Sequence, residues 1–286
     1  MHLRSLVRNV VLCSLAAGAA ISTPSHGAGT VVCWGNNNFG KCDVPADLGP
    51  CIQVAGGGTF SAAIRVDGAV ACWGSNANGQ CAVPADLGPC IDIATGGSFA
   101  IALDDNGTVV CWGNNEAGQC EVPEDLGPCI DVDAGAAHAV ALRSDGSVVC
   151  WGLNDFGQCD VPADLGPCIQ VAAGALFTIV VKADGTLGCW GGSGPHDVPE
   201  LPNPCVQADG GNTFAVALTD DGTITCWGDN AQGQCAVPGD LGPCLGMASG
   251  SFHMVAIQAD GTIVCWGANG TGQCDVPADL GPCLQV

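Results

Sequence analysis

Seven tryptophans stand at positions 34, 73, 112, 151, 190, 227 and 266, separated by 39, 39, 39, 39, 37 and 39 residues. A fixed period in this range belongs to solenoids, propellers and similar arrays, because one unit buries its apolar faces only against the next. Residues 130–168 give one complete copy. Ile130 to Val132 and His138 to Leu142 are short β-prone runs joined through Gly135, and Ser147 to Trp151 supplies another. Asp145-Gly146 carries the positive φ of a tight hairpin, and Val161-Pro162 to Pro167 is a stiff connection. No window has helical periodicity, so each copy predicts three or four short strands, one blade of an all-β propeller. Each tryptophan buries roughly 150–250 Å². Its recurrence in every copy assigns it to packing between blades, not to a ligand.

The ends of the array set a closure problem. There are seven C-W-G strands but only six of the form A-G-x-x-[HF]-x-x-A-[LI]. The expectation is a seven-bladed β-propeller of ~39-residue blades with an incomplete seam blade. Thr30 to Trp34 would complete, across the seam, the blade opened by Leu284 to Val286. A six-bladed ring or an open arc is the alternative.

Residues 1–28 read as a signal peptide, with Arg4 and Arg8 ahead of the apolar run Val10 to Ala20 and no acidic residue before position 43. The propeller then occupies residues 29–286, and a secreted or periplasmic location follows. Beyond the leader, 28 acidic residues face four basic ones, Lys41, Arg65, Arg143 and Lys182. Such a surface repels phosphate backbones and anionic lipid, so nucleic acid and membrane insertion are excluded as partners. With 48% hydrophobic residues the chain is globular and not an acidic tail.

Of 21 cysteines, Cys13 lies in the leader, and no C-x-x-C pair occurs. This density behind a leader predicts disulfides and gives zinc no support. Each copy offers three cysteines, and the fifth has lost its middle one. Pairing the two flanks avoids leaving a partner stranded there. It gives Cys33–Cys51, Cys72–Cys90, Cys111–Cys129, Cys150–Cys168, Cys189–Cys205, Cys226–Cys244 and Cys265–Cys283. A bridge from the C-W-G cysteine to the middle one, such as Cys111 to Cys120, closes the neighbouring turn equally simply.

The run W-G-x-N-x-x-G-Q at Trp112 to Gln119, followed by V-x-x-G-x-x-H-x-x-A-L-x-x-D-G at Val132 to Gly146, resembles the repeat of the regulator of chromosome condensation family. The resemblance extends over essentially the whole of residues 29–286 and implies a seven-bladed propeller. The family includes nuclear exchange factors, ubiquitin-ligase segments and secreted bacterial inhibitors of β-lactamases; the short repeat and the leader make the secreted bacterial members the most similar. Two departures stand out. Where the family has Leu after Gly-Gln, this chain has Cys, at Cys42, Cys81, Cys120, Cys159, Cys235 and Cys274, which implies a buried thiol filling the leucine site. The family's histidine survives only as His138 and His253, with Phe60, Phe99, Phe177 and Phe214 elsewhere. A phenyl ring cannot replace a catalytic imidazole, so the position is read as structural.

Catalytic motifs are missing from the sequence. No Gly-x-Ser-x-Gly, Walker-type or H-E-x-x-H pattern occurs, and His196 is the remaining histidine beyond the leader. The aspartates of the D-L-G-P turns (Asp47, Asp86, Asp125, Asp164, Asp240, Asp279) and of the Asp-Gly corners recur at fixed positions and read as turn caps. No EF-hand or calcium nonapeptide is present, and no cofactor or metal is expected. Asn106 and Asn269 begin Asn-Gly-Thr sequons.

The functional expectation is a non-enzymatic, monomeric scaffold that binds another protein through variable loops on one face. A structural envelope or matrix component is the alternative, and a carboxylate-based hydrolase of an extracellular polymer a further one. Variation is steepest at the tips of the W-G-x-N-x-x-G turns, and exposed aromatics anchor interfaces. The predicted binding residues are therefore Phe39, Glu116, Asp155 and Phe156.

Overall fold

The computed structural model describes residues 9–13, 28–192 and 195–285. Most of the expected signal peptide, residues 1–8 and 14–27, lies outside them, as does Val286. Strands β1 (Asn9–Cys13) and β2 (Thr30–Trp34) come first. The first full blade comprises β3 (Cys51–Gly56), β4 (Phe60–Arg65) and β5 (Val70–Gly74). The next two are β6 (Cys90–Thr95), β7 (Phe99–Asp104) and β8 (Val109–Gly113), then β9 (Cys129–Ala134), β10 (His138–Arg143) and β11 (Val148–Gly152). They are followed by β12 (Cys168–Ala173), β13 (Phe177–Lys182) and β14 (Leu187–Gly191), and by β15 (Cys205–Gly210), β16 (Phe214–Thr219) and β17 (Ile224–Gly228). The last full blade is β18 (Cys244–Ser249), β19 (His253–Gln258) and β20 (Ile263–Gly267), and β21 (Cys283–Gln285) ends the array.

Each of these six blades is a three-stranded antiparallel sheet with its second strand in the middle. The middle strand is buried almost end to end, as in the Phe-Ser-Ala-Ala-Ile run of β4, because neighbouring blades cover both faces of the sheet. One face is large and the other small. Phe99, Ile101 and Leu103 of β7 pack on Ala139 and Ala141 of β10 and on Trp151 of β11. Phe60, Ala62 and Ile64 meet Ala100, Ala102 and Trp112 in the same way one blade earlier. The glycine opening each G-x-x-[HF] loop makes this possible, since a Cβ on Gly174 would overlap the Phe177 ring.

The first strand of each blade carries a bulge at its second residue: Cys51 lies opposite Arg65, but Gln53 lies opposite Ile64. First strands of successive blades also touch one another, which places them innermost. Because the strands alternate in direction, the W-G-x-N-x-x-G turns and the G-x-x-[HF] loops share one face. Asp-Gly hairpins and Leu-Gly-Pro-Cys segments share the other.

The seam differs from the expectation. β2 and β21 do lie in one sheet, but they do not pair with each other. β1 sits between them and runs parallel to both, with Asn9 opposite Thr30 and Cys13 opposite Trp34. The missing middle strand is thus supplied by a segment that sequence reasoning had placed in the leader.

Candidate binding face

Each W-G-x-N-x-x-G turn is built on its asparagine. Asn115 Oδ1 accepts the N–H of Cys120 at 2.9 Å, and Asn37, Asn76, Asn154, Asn230 and Asn269 hold the equivalent cysteines in the same way. The turn folds back so that its last residue meets the C-W-G strand. Sequence reasoning had singled out the tips and overlooked this anchor, though its recurrence in all six full turns was visible.

That fold-back corrects one of the expected disulfides. Cys226 is bonded to Cys235, with 5.1 Å between their Cα atoms, and not to Cys244. In three other copies the same two sulfurs adjoin: Cys33 and Cys42 at 2.7 Å, Cys111 and Cys120 at 2.8 Å, Cys265 and Cys274 at 2.9 Å. The third cysteines, Cys51, Cys90, Cys129, Cys168, Cys205, Cys244 and Cys283, are the buried ones, at the start of an inner strand in the next sheet. In the copy with Cys226, Cys235 and Cys244 the roles given to the middle and third cysteines are therefore exchanged. In the fifth copy, where the middle cysteine is lost, Cys189 keeps a free thiol that burial pushes up to about 12.

His138 and His253 occupy the same buried position as the four phenylalanines. Burial lowers both imidazoles to about 4, and His138 Nδ1 has no hydrogen-bond partner. Each imidazole is thus a neutral packing ring at ordinary pH. The Asp-Gly corners behave as read: Asp145 Oδ1 accepts from Ser147 N, and Asp67, Asp184, Asp221 and Asp260 act alike. The D-L-G-P turns are instead closed by backbone, as where Leu48 N donates to Pro45 O.

A second set of carboxylates, not foreseen from sequence, lies on the inner strands. Asp92, Asp131, Asp133 and Asp209 are buried. Each reaches across to the inner strand of the blade after it: Asp131 Oδ2 accepts from Val171 N, Asp133 Oδ2 from Ala173 N and Asp209 Oδ2 from Ser249 N. Gln53, Gln170 and Gln207 span the neighbouring gaps by the same logic. Burial raises all four carboxyls, Asp133 to about 7. These groups tie blades together. Among the described residues no group of three or more His, Cys, Asp or Glu side chains is placed to hold a metal ion.

The predicted binding residues are all exposed on the turn face. Phe39 is 67% and Phe156 53% exposed, so neither ring folds back under its own blade. Glu116 and Asp155 are also exposed. Phe39 has φ +67°, the one non-glycine residue with positive φ among those described, a conformation unfavourable for a bulky side chain. Phe156 rests against Gly192 of the next blade. Glu116 and Asp155 sit on adjacent turns, whereas two complete turns separate Phe39 from Phe156. Asn36 and Lys41, which flank Phe39, line a cavity of about 210 Å³ with Ser251, Phe252, His253, Thr271 and Gln273.

The opposite face holds a feature that sequence reasoning missed. The bulged residue of five successive inner strands is an exposed aliphatic: Ile91, Ile130, Ile169, Val206 and Leu245. Alternation would turn such a residue inward, and only the bulge rotates it out.

Seven tryptophan Nε1–H groups each donate to a carbonyl oxygen in the turn of the preceding unit; Trp34 reaches Gln273, near the other end of the chain. Repeated sheets joined face to face in this way define a β-propeller. The chain belongs to the regulator of chromosome condensation (RCC1) repeat family, whose model matches residues 51–80, 90–119, 129–158, 205–234 and 246–273. Among solved structures it is similar to Prp20p of Saccharomyces cerevisiae (17% identity, 87% of this chain and 84% of that one, TM-score 0.71). It is similar also to human WBSCR16 (20% identity, 81% and 79%, TM-score 0.66). The ectodomain of the Physcomitrella patens receptor kinase CR4 is a third (21% identity, 78% and 63%, TM-score 0.66). The chain thus spans under two thirds of that moss ectodomain. No curated protein matches it. No helix among the described residues is long and apolar enough to cross a membrane.

Proposed function

We propose that this chain is a secreted or periplasmic, non-enzymatic propeller of seven blades that binds another protein through its W-G-x-N-x-x-G turn face. Phe39, Glu116, Asp155 and Phe156 would make the contacts. The observation that carries the reading is Phe39, a strongly exposed aromatic held in a left-handed conformation that packing within its own blade does not require. Phe156 supplies a second anchor three turns along the ring, so a partner touching both must span the mouth of the propeller. Prp20p, which shares the fold, is described by its binding to Gsp1p and histones, and protein binding is the use of the scaffold carried over here. The cysteine-rich turns and the fold shared with a receptor ectodomain support an extracellular location.

The test begins with capture of partners from the host's extracellular fraction on the oxidised protein. Affinity is then compared for Phe39→Ala, Phe156→Ala and, on the opposite face, Ile130→Asp. Loss confined to the phenylalanine variants supports the turn face. Loss confined to Ile130→Asp would move the site to the aliphatic ring.

A further inference from the structure

The first turn breaks the repeat at one position. Five W-G-x-N-x-x-G turns continue into glutamine, at Gln80, Gln119, Gln158, Gln234 and Gln273, whereas the first continues into Lys41. In those five, the glutamine Oε1 accepts the N–H of the residue two before it, as with Asn78, Ala117 and Phe156. Lysine has no acceptor, so the Phe39 N–H cannot be held that way, and Phe39 is the tip with positive φ. What the turn receives in exchange is a cation. Lys41 is 6% exposed, and its backbone is fixed: its carbonyl oxygen accepts from Trp73 Nε1 and Ser61 Oγ, each at 2.8 Å. An ammonium carries three N–H donors. One donates to Gly58 O at 3.2 Å, and no carboxylate among the described residues pairs with the group. Asp43, two residues on, is turned instead to Asn37 Nδ2. Burial therefore lowers the Lys41 ammonium from its ordinary range, and an enclosed charge of this kind is unfavourable until an anion offsets it.

We propose that the cavity beside Lys41 is a binding site for a carboxylate carried on a short apolar stem. The cavity joins the first turn to the last full blade. Ser251, Phe252 and His253 line it from the loop entering β19, and Thr271 from the last turn. At about 210 Å³ it has room for several heavy atoms. Its described lining includes no acidic side chain, although the chain carries 28 of them. Burial and the charge of Lys41 hold His253 at about 4, so that ring is neutral and Lys41 is the cation of the site. A carboxylate would take up the remaining ammonium donors in charge-assisted bonds, and Phe252, 40% exposed, offers an apolar wall to the stem. Charge favours a monoanion, because a molecule of net charge −22 repels a phosphate dianion more strongly than a carboxylate. Two sources carry such a group: a free small acid, and an acidic side chain or C-terminus of a protein docked beside Phe39. The site needs only the first, so it stands apart from the turn-face reading.

The experiment follows backbone amide shifts of the oxidised, isotope-labelled protein by NMR as butyrate is added at constant ionic strength. Butyramide and inorganic phosphate are the comparison probes. The expected result is saturable shifts at Asn36, Lys41 and Ser251 to His253 with butyrate, and none with butyramide. Lys41→Gln installs the residue of the other five turns and should weaken butyrate at least about tenfold, as loss of a charge-assisted hydrogen bond does. Lys41→Met, which removes the charge without supplying the acceptor, should do the same. Lys182→Met removes a cation beside an Asp-Gly corner on the opposite face and should leave the affinity within about twofold. The proposal is overturned if butyramide binds as well as butyrate, if phosphate binds more tightly, or if the Lys41 and Lys182 variants behave alike. With a protein partner in hand, competition by butyrate and loss in Lys41→Met identify the partner's carboxylate as the occupant. A partner unaffected by either, with butyrate still bound, identifies a free acid. Because butyrate is titrated without any partner, failure of the turn-face reading leaves this result intact.

Discussion

Trp34 Nε1 donates to the carbonyl oxygen of Gln273 at 3.1 Å, across 239 residues of sequence. The six other tryptophans make the same bond to a residue 32 positions earlier, so one contact repeats between units and also joins the first to the last. Trp34→Phe keeps most of the apolar area and deletes the donor. It should lower stability by about 1–2 kcal/mol, as should Trp151→Phe. The two should differ in hydrogen exchange: Trp34→Phe loosens Thr30–Trp34 and the C-terminal turn, Trp151→Phe an interior blade. Equal, global loosening in both would argue against a distinct seam.

Non-reducing peptide mapping should recover Cys226 linked to Cys235, and Cys111 linked to Cys120 in preference to Cys129. A bridge closing a nine-residue separation stabilises by roughly 2–3 kcal/mol in the chain-entropy model. Cys226→Ala with Cys235→Ala should cost about that much in denaturant unfolding. Cys189, with no middle cysteine in its copy, should remain a free thiol and react slowly with alkylating agents, since burial disfavours its thiolate.

The buried acids and imidazoles give opposite pH dependences. The Asp133 carboxyl is raised to about 7 by burial, so the folded chain keeps a proton that the unfolded chain has released. Its contribution is full below the ordinary carboxylate range and is lost as pH rises through about 7. His138 is lowered to about 4, so its contribution is full above its unfolded value and is lost as pH falls through about 4. His138→Phe installs the ring found in four other blades and removes the unpartnered Nδ1. It should raise the unfolding midpoint, and more at pH 5 than at pH 8. Asp133→Asn should gain stability relative to wild type between pH 4 and pH 7. Thermal denaturation across that range measures both.

Phe39→Gly separates strain from binding. Glycine adopts positive φ without penalty, so stability should rise by about 1 kcal/mol or less. Affinity for a partner of the turn face should fall as it does for Phe39→Ala. Higher stability with unchanged affinity would leave the strained aromatic without a binding role.

The tryptophan period, the Asp-Gly corners and the interchange of His with Phe were sufficient to specify the blades, the hairpins and the packing role of His138 and His253. These are local or repeated features, and repetition lets a single copy interpret the rest. The choice of cysteine partner was not legible. The middle cysteine stands at the same distance in sequence from either flank, and only the fold-back held by Asn115 and its counterparts brings Cys120 and not Cys129 to Cys111. The inner carboxylates were hidden because Asp92, Asp131 and Asp209 look like ordinary acidic residues until neighbouring blades enclose them. The exposed Ile91 series was hidden because a bulge reverses which way a residue points. The chain's own period thus determined the unit of structure. Three-dimensional closure decided what lies between units, because burial, thiol proximity and the strand that fills the seam depend on surfaces the sequence brings together only when the ring is complete.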